Sequence, residues 1–337
     1  MTSISYDELE RMLRDPGVPD SAIAPYLMAD RELSGPFDPR IVPDPARVAM
    51  DATAEFRVES AMRWANAICR WRRQRRFEQR MAAGEHLPVL VSEGDSWFQF
   101  PFLLEDVVDC LGSDHLIWSP DAAGDTAENM VRRNPEYLAA LRERQGDVDA
   151  FLFSAAGNDV IGEDEFGEPV LKALVKSFTA GKDAAWHVNQ VHLGEVLIFL
   201  EGAYNEVTAT IRAEFPTLPI LIHGYDYAIP GGHAGEWRSP EWAAVDEWLG
   251  RPFAERGIRD LALQRNIVRI LIDALYDMLH RVAGDSAVTN IHVVDVRGTL
   301  QREEWADEIH GTSEGFAKVA DLFRATLWQA GVPAPSV

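Results

Sequence analysis

Five short apolar runs, LPVLV (87–91), HLIW (115–118), AFLFS (150–154), PILIH (219–223) and IHVVDV (291–296), restrict the fold more than any other feature of the chain. Each is bounded by polar or turn residues. Continuous apolar runs of this length suit strands buried on both faces of a parallel sheet. Helical stretches lie between them. The clearest is 256–283, where Ile267, Leu271, Leu275, Met278 and Val282 recur on one face. Leu103, Val107 and Leu111 do the same just after the first run. Strand–helix alternation predicts an α/β domain, a three-layer α/β/α sandwich with right-handed crossovers. The 337 residues accommodate such a domain with an extension.

That extension spans residues 1–86, and the main domain runs from 87 to 334. Pro16, Pro19, Pro25, Pro36, Pro39, Pro43 and Pro45 interrupt the first part, so it reads as irregular apart from a short helix over 6–13 capped by Ser5. Residues 53–82 are free of proline and carry eight arginines against three glutamates. They read as a solvated helix docked on an acidic body, with an anionic partner or membrane surface as the alternative. Two insertions, 161–188 and 224–253, leave the carboxyl ends of the third and fourth strands, where open α/β sheets bind ligands. The second holds Tyr225, Tyr227, Trp237, Trp242, Trp248 and Phe253, read as a buried mini-core or as a lid over a substrate.

The formal charge of −22 repels phosphate backbones and anionic membranes, so no nucleic-acid partner is expected. Two cysteines, Cys69 and Cys110, make neither a disulfide framework nor a four-cysteine zinc site. MTSISYDELERML lacks the basic and apolar segments of a secretory signal. No run reaches the ~18 apolar residues of a membrane span. A cytoplasmic protein is the expectation.

Four local signals carry chemistry. The first strand ends in Gly94-Asp95-Ser96, which puts a hydroxyl beside helix-terminal amides that stabilise negative charge; a helix cap is the ordinary alternative. Asp307 and His310 stand three apart before the last helix, and one helical turn would aim both the same way. A carboxylate so placed holds the imidazole tautomer that deprotonates a serine; a surface ion pair is the plainer reading. Gly124 follows the second strand and Asn158 the third, each a donor to an oxyanion or simply a turn residue.

Together, Gly94-Asp95-Ser96, Gly124, Gly157-Asn158-Asp159 and Asp307-Glu308-Ile309-His310 resemble the SGNH hydrolases, the GDSL esterase and lipase superfamily, over about residues 87–331. The resemblance implies a flavodoxin-like sheet of five parallel strands and an acyl-enzyme mechanism without a cofactor. Ser96 would be the nucleophile, His310 the base and Asp307 its orienting partner. The oxyanion hole would be Ser96, Gly124 and Asn158. The substrate would be a small-molecule, lipid or sugar ester. Lysophospholipase, carbohydrate deacetylase and acyltransferase activities fit the same triad. A function in which residues 1–86 dock a partner or a second copy of the chain is the alternative of another class.

The chain departs from the pattern at Trp97, where the family has a smaller residue, and at Gly311, where it often has proline. Trp97, Tyr225 and Tyr227 are candidates for substrate contact, and Gly311 for loosening the His310 loop. Gly311-Thr312-Ser313-Glu314-Gly315 imitates the G-x-S-x-G elbow but lacks the buried strand that must precede it. His187 and His192 are spaced wrongly for a helical zinc pair, and His223, His233 and Asp226 read as ordinary loop residues, so no metal is expected.

Overall fold

The computed structural model describes residues 3–29, 41–49, 65–163, 167–238 and 248–334. Its central sheet has five parallel strands: β1 (Val89–Gly94), β2 (Leu116–Trp118), β3 (Val148–Ser154), β4 (Ile220–His223) and β5 (Ile291–Val294). Their order across the sheet is β2-β1-β3-β4-β5, the flavodoxin-like arrangement. The winding reverses between β1 and β3, so the loops leaving those strands diverge and open a crevice at their carboxyl ends.

β1 and β4 are buried throughout and β3 from Ala150 onward, which requires cover on both faces. Helices Gln190–Glu214 and Leu261–Ala283 pack together, and Ser313–Gln329 packs on Val107–Leu111. All five residues of the predicted apolar face, from Ile267 to Val282, are buried. That helix starts later than expected because Asp260 caps it, accepting from the Leu263 amide at 2.7 Å. Likewise Asp106 caps Val107–Leu111, leaving Leu103 in the preceding turn.

β1 runs past its predicted end at Val91 through two buried polar residues. Both have partners: the Ser92 hydroxyl donates to Asp121 at 2.6 Å, and Glu93 accepts from the Tyr137 amide at 3.0 Å. Paired polar groups can continue a buried strand where unpaired ones would end it.

The amino-terminal part is more ordered than its prolines suggest. Tyr6–Arg14 is helical with Ser5 as its cap. Ile4–Ser5 also pairs with Val48–Ala49, Leu27–Ala29 pairs with Ile41–Pro43, and Asp20–Ile23 makes a helical turn. Of the arginine-rich segment, Ala65–Ala82 is a helix, while Arg57 and Arg63 lie outside the described residues. It docks on acidic partners but is not simply solvated, because two consecutive guanidinium groups are buried. Arg72, fully enclosed, donates to the carbonyls of Met12, Leu13, Asp15 and Val18 and to the Asp20 carboxylate. Its guanidinium thereby ties together the carbonyls of the turn that ends the Tyr6–Arg14 helix, two of which, Met12 and Asp15, also accept backbone amides. Arg73 donates to the Phe98 carbonyl at 2.7 Å and pairs with Asp106 and Asp109. The extension is thus stitched to the loop that follows β1.

Candidate functional site

The Ser96 loop exists because Gly94 has no side chain. A Cβ there would come within 2.6 Å of the Phe98 ring and 2.9 Å of the Ser154 Cβ. The chain then turns back sharply, with the amides of Phe98 and Gln99 both donating to the Asp95 carbonyl. This brings the Ser96 Oγ to 2.7 Å from His310 Nε2, and Asp307 Oδ2 lies 2.7 Å from His310 Nδ1. All three residues are buried. The expected helical turn over 307–310 does not form. Instead Asp307 Oδ1 accepts from the amides of Ile309 and His310 at 2.8 and 2.7 Å, an Asx-type turn that aims the other oxygen at the ring. With Nδ1–H directed at a carboxylate, Nε2 is left to accept from the serine.

Asn158 is the second residue of the short helix Gly157–Ile161 beyond β3 and lines the same cleft as Ser96. One of its amide hydrogens goes to the Asp125 carbonyl, and the other is not taken by that bond. Gly124 is not part of the cleft wall; it sits in the adjoining loop at φ 85°. That loop is tied to β1 by the Ala122 amide donating to the Gly94 carbonyl at 2.9 Å. It is tied to the extension by Asn66, whose side chain both accepts from the Ala123 amide and donates to its carbonyl, each at 3.0 Å. Gln99 donates to the same Asn66 oxygen at 2.9 Å. The sequence reading assigns no role to Asn66, and an isolated asparagine in a helix carries no signal that would reveal one.

The loops that follow β1 and β3 are also locked to each other. The Gly157 amide donates to the Tyr225 hydroxyl at 2.8 Å, and that hydroxyl donates to Asp95 Oδ2. Asp95 Oδ1 accepts from the Trp97 amide and the Ser154 hydroxyl. Burial pushes the Asp95 carboxyl up to about 6, against the pull of the Tyr225 hydroxyl and the other donors. Between these anchors Ala156 is held at φ 102°, a conformation costing a non-glycine residue about 1–3 kcal/mol. Its neighbour Ala155 is clamped at both amide and carbonyl by the Tyr204 hydroxyl, so the strain cannot relax.

Other candidates separate cleanly. Trp97 and Tyr225 line the cleft, and Trp97 Nε1 donates to the Ile309 carbonyl at 3.0 Å, bracing the residue beside His310. Tyr227 does not line it; its hydroxyl donates to Asp273 at 2.7 Å, and Arg269 lies over its ring. Gly311 tightens the His310 loop rather than loosening it. A Cβ there would come within 2.9 Å of Leu300, and Gly311 bridges to Trp305. Thr312 caps the last helix, while the Ser313 hydroxyl accepts from the Glu105 amide.

Glu308 is the main residue that the motif contained without revealing its role. Buried beside Asp307, it accepts from the amides of Gly231, Trp248, Leu249 and Gly250. Burial raises its pKa against the pull of those four donors. It fastens both described ends of the aromatic insertion to the histidine loop, and the Trp248 ring meets His310 edge-on at 5.8 Å. Phe253 and Leu249 are buried in a satellite core; Trp242 lies outside the described residues. His223 is enclosed by Phe98 and Phe323, His233 contacts Gln264, and Asp226 accepts from the Gly298 and Leu300 amides. Among the described residues, no group of three or more His, Cys, Asp or Glu is placed to hold a metal ion, and no helix is long and apolar enough to cross a membrane.

No family model matches the chain. No curated protein matches it either. Solved structures to which it is similar include an extracellular lipase from Streptomyces rimosus (TM-score 0.44, 12% identity, covering 71% of this chain and 100% of that one). A phospholipase A1 from Streptomyces albidoflavus follows (0.42, 12%, 71% and 99%). A carbohydrate esterase family 3 protein from Talaromyces cellulolyticus is a third (0.36, 14%, 72% and 97%).

Proposed function

We propose that this chain is a serine ester hydrolase of the SGNH type. The observation that carries the reading is the buried relay from Ser96 Oγ to His310 Nε2 and from His310 Nδ1 to Asp307, both steps at 2.7 Å. His310 takes the hydroxyl proton as the Ser96 oxygen attacks the ester carbonyl carbon, and Asp307 stabilises the imidazolium. The oxyanion is held by the Ser96 amide, the Gly124 amide and the remaining amide hydrogen of Asn158, donors each worth roughly 3–4 kcal/mol in the transition state. The alcohol departs with the proton from His310. Water, activated by the same histidine, then releases the acid from the acyl-enzyme.

The extension is read as part of the enzyme rather than as a docking module. Arg72 and Arg73 are consumed inside the fold, and Asn66 grips the loop that carries Gly124.

The test is turnover of p-nitrophenyl esters by wild type and Ser96→Ala, together with fluorophosphonate labelling mapped by mass spectrometry. Activity confined to wild type and a label on Ser96 are expected. Equal rates in both proteins, or a label elsewhere, would sink the assignment.

A further inference from the structure

The cleft at Ser96 continues between the two long helices. Its walls are Leu193 to Leu200 on the 190–214 helix and Val268 to Leu275 on the 261–283 helix. The two insertions close it with Leu171 and Leu249. Polar side chains in the wall are already engaged. Asp95 and Tyr225 bond each other, and Asp226 accepts backbone amides. Apart from Ser96 and Asn158, the wall thus offers a ligand little but methyl and methylene groups. A sugar ring would strand its hydroxyls there.

We infer that this cleft holds the acyl chain of the substrate, and that the substrate is an ester of a medium-length fatty acid. The inference rests on the serine hydrolase reading. Direction follows from the wall: Asn158 and Ser96 belong to it, but His310 does not. On this inference the oxygen that His310 protonates lies on the His310 side, and the chain that stays bonded to Ser96 lies in the cleft. Length follows from helix geometry. The apolar stretch on each helix runs over eight residues, seven steps of 1.5 Å or about 10 Å. An extended chain of tetrahedral carbons advances about 1.3 Å per methylene, so about eight carbons fit.

Two measurements test this. Across p-nitrophenyl esters from acetate to dodecanoate, kcat/KM should rise about fourfold per methylene, the value of burying one CH₂, and level off near octanoate. Leu197→Trp and Val268→Phe, each checked for folding by thermal melt, should both cut the octanoate-to-acetate ratio at least tenfold. Calorimetry of octanoate with Ser96→Ala should detect binding that the Ser96→Ala/Leu197→Trp protein lacks. A flat chain-length profile, unchanged ratios in both variants, or a length preference found only among alkyl acetates would overturn the inference. If ester turnover and Ser96 labelling were both absent, the hydrolase reading would fail on its own. Octanoate binding would then still decide whether the cleft takes an acyl chain.

Discussion

Glu308→Gln isolates one electrostatic device without changing its shape. The carboxylate offers four lone-pair sites, and four backbone amides occupy them: Gly231 and Gly250 on Oε1, Trp248 and Leu249 on Oε2. Glutamine has one oxygen and one NH₂. Whichever way its amide is turned, two of the four backbone donors lose their acceptor and face another donor. Each stranded buried amide costs about 1–3 kcal/mol, so the variant should lose about 2–6 kcal/mol of stability in urea unfolding at neutral pH. The 224–253 insertion should also become cleavable in limited proteolysis, since its fastening is what failed. Ester turnover should fall with it, because Trp248 packs on His310 and Glu308 adjoins Asp307. A loss below about 1 kcal/mol with an uncut insertion would refute the reasoning, since it would mean that the four amides do not depend on a second acceptor oxygen.

Asn66→Ala removes both bonds to Ala123 and the Gln99 acceptor. It should lower kcat roughly 10- to 100-fold with little change in KM, part of the value of one oxyanion donor; a kcat within twofold of wild type would separate Asn66 from catalysis. Asp121 is raised to about 6 by burial, despite accepting from Ser92 and Ser119. A carboxyl raised in the folded state contributes stability below its unfolded pKa and loses it as pH rises through about 6. The loss from this one group is at most about 3 kcal/mol, and Asp121→Asn should shrink the drop in urea midpoint between pH 4 and pH 8; an unchanged drop would mean Asp121 is not its source.

The sheet was legible because its signal is local. A strand buried on both faces has to be written in apolar residues, and all five runs became neighbours in one parallel sheet. Their ends were less legible: β1 extends through Ser92 and Glu93 because Asp121 and the Tyr137 amide, distant in sequence, satisfy them. The arginine-rich helix failed as a solvated face for the same reason. Composition shows the guanidinium groups, but only the fold brings the carbonyls of residues 12–18 to Arg72.

At the site, the resemblance singled out Ser96, Asp307, His310, Gly124 and Asn158 from motifs that are each weak alone, and the first three form one hydrogen-bonded chain in the structure. The tertiary structure decided how they meet. An Asx turn replaced the expected helical turn at Asp307, Tyr225 became a strut between two loops, and Tyr227 fell outside the cleft. It also decided what surrounds them: Asn66, Glu308 and the apolar cleft between two helices all arise from residues far apart in the chain. Their sequence neighbours are unremarkable, because a hydrogen bond or a cavity wall is a property of positions in space. Sequence alone therefore determined the layers of the fold and the chemistry within reach. Packing determined the shape of the ligand that chemistry would meet.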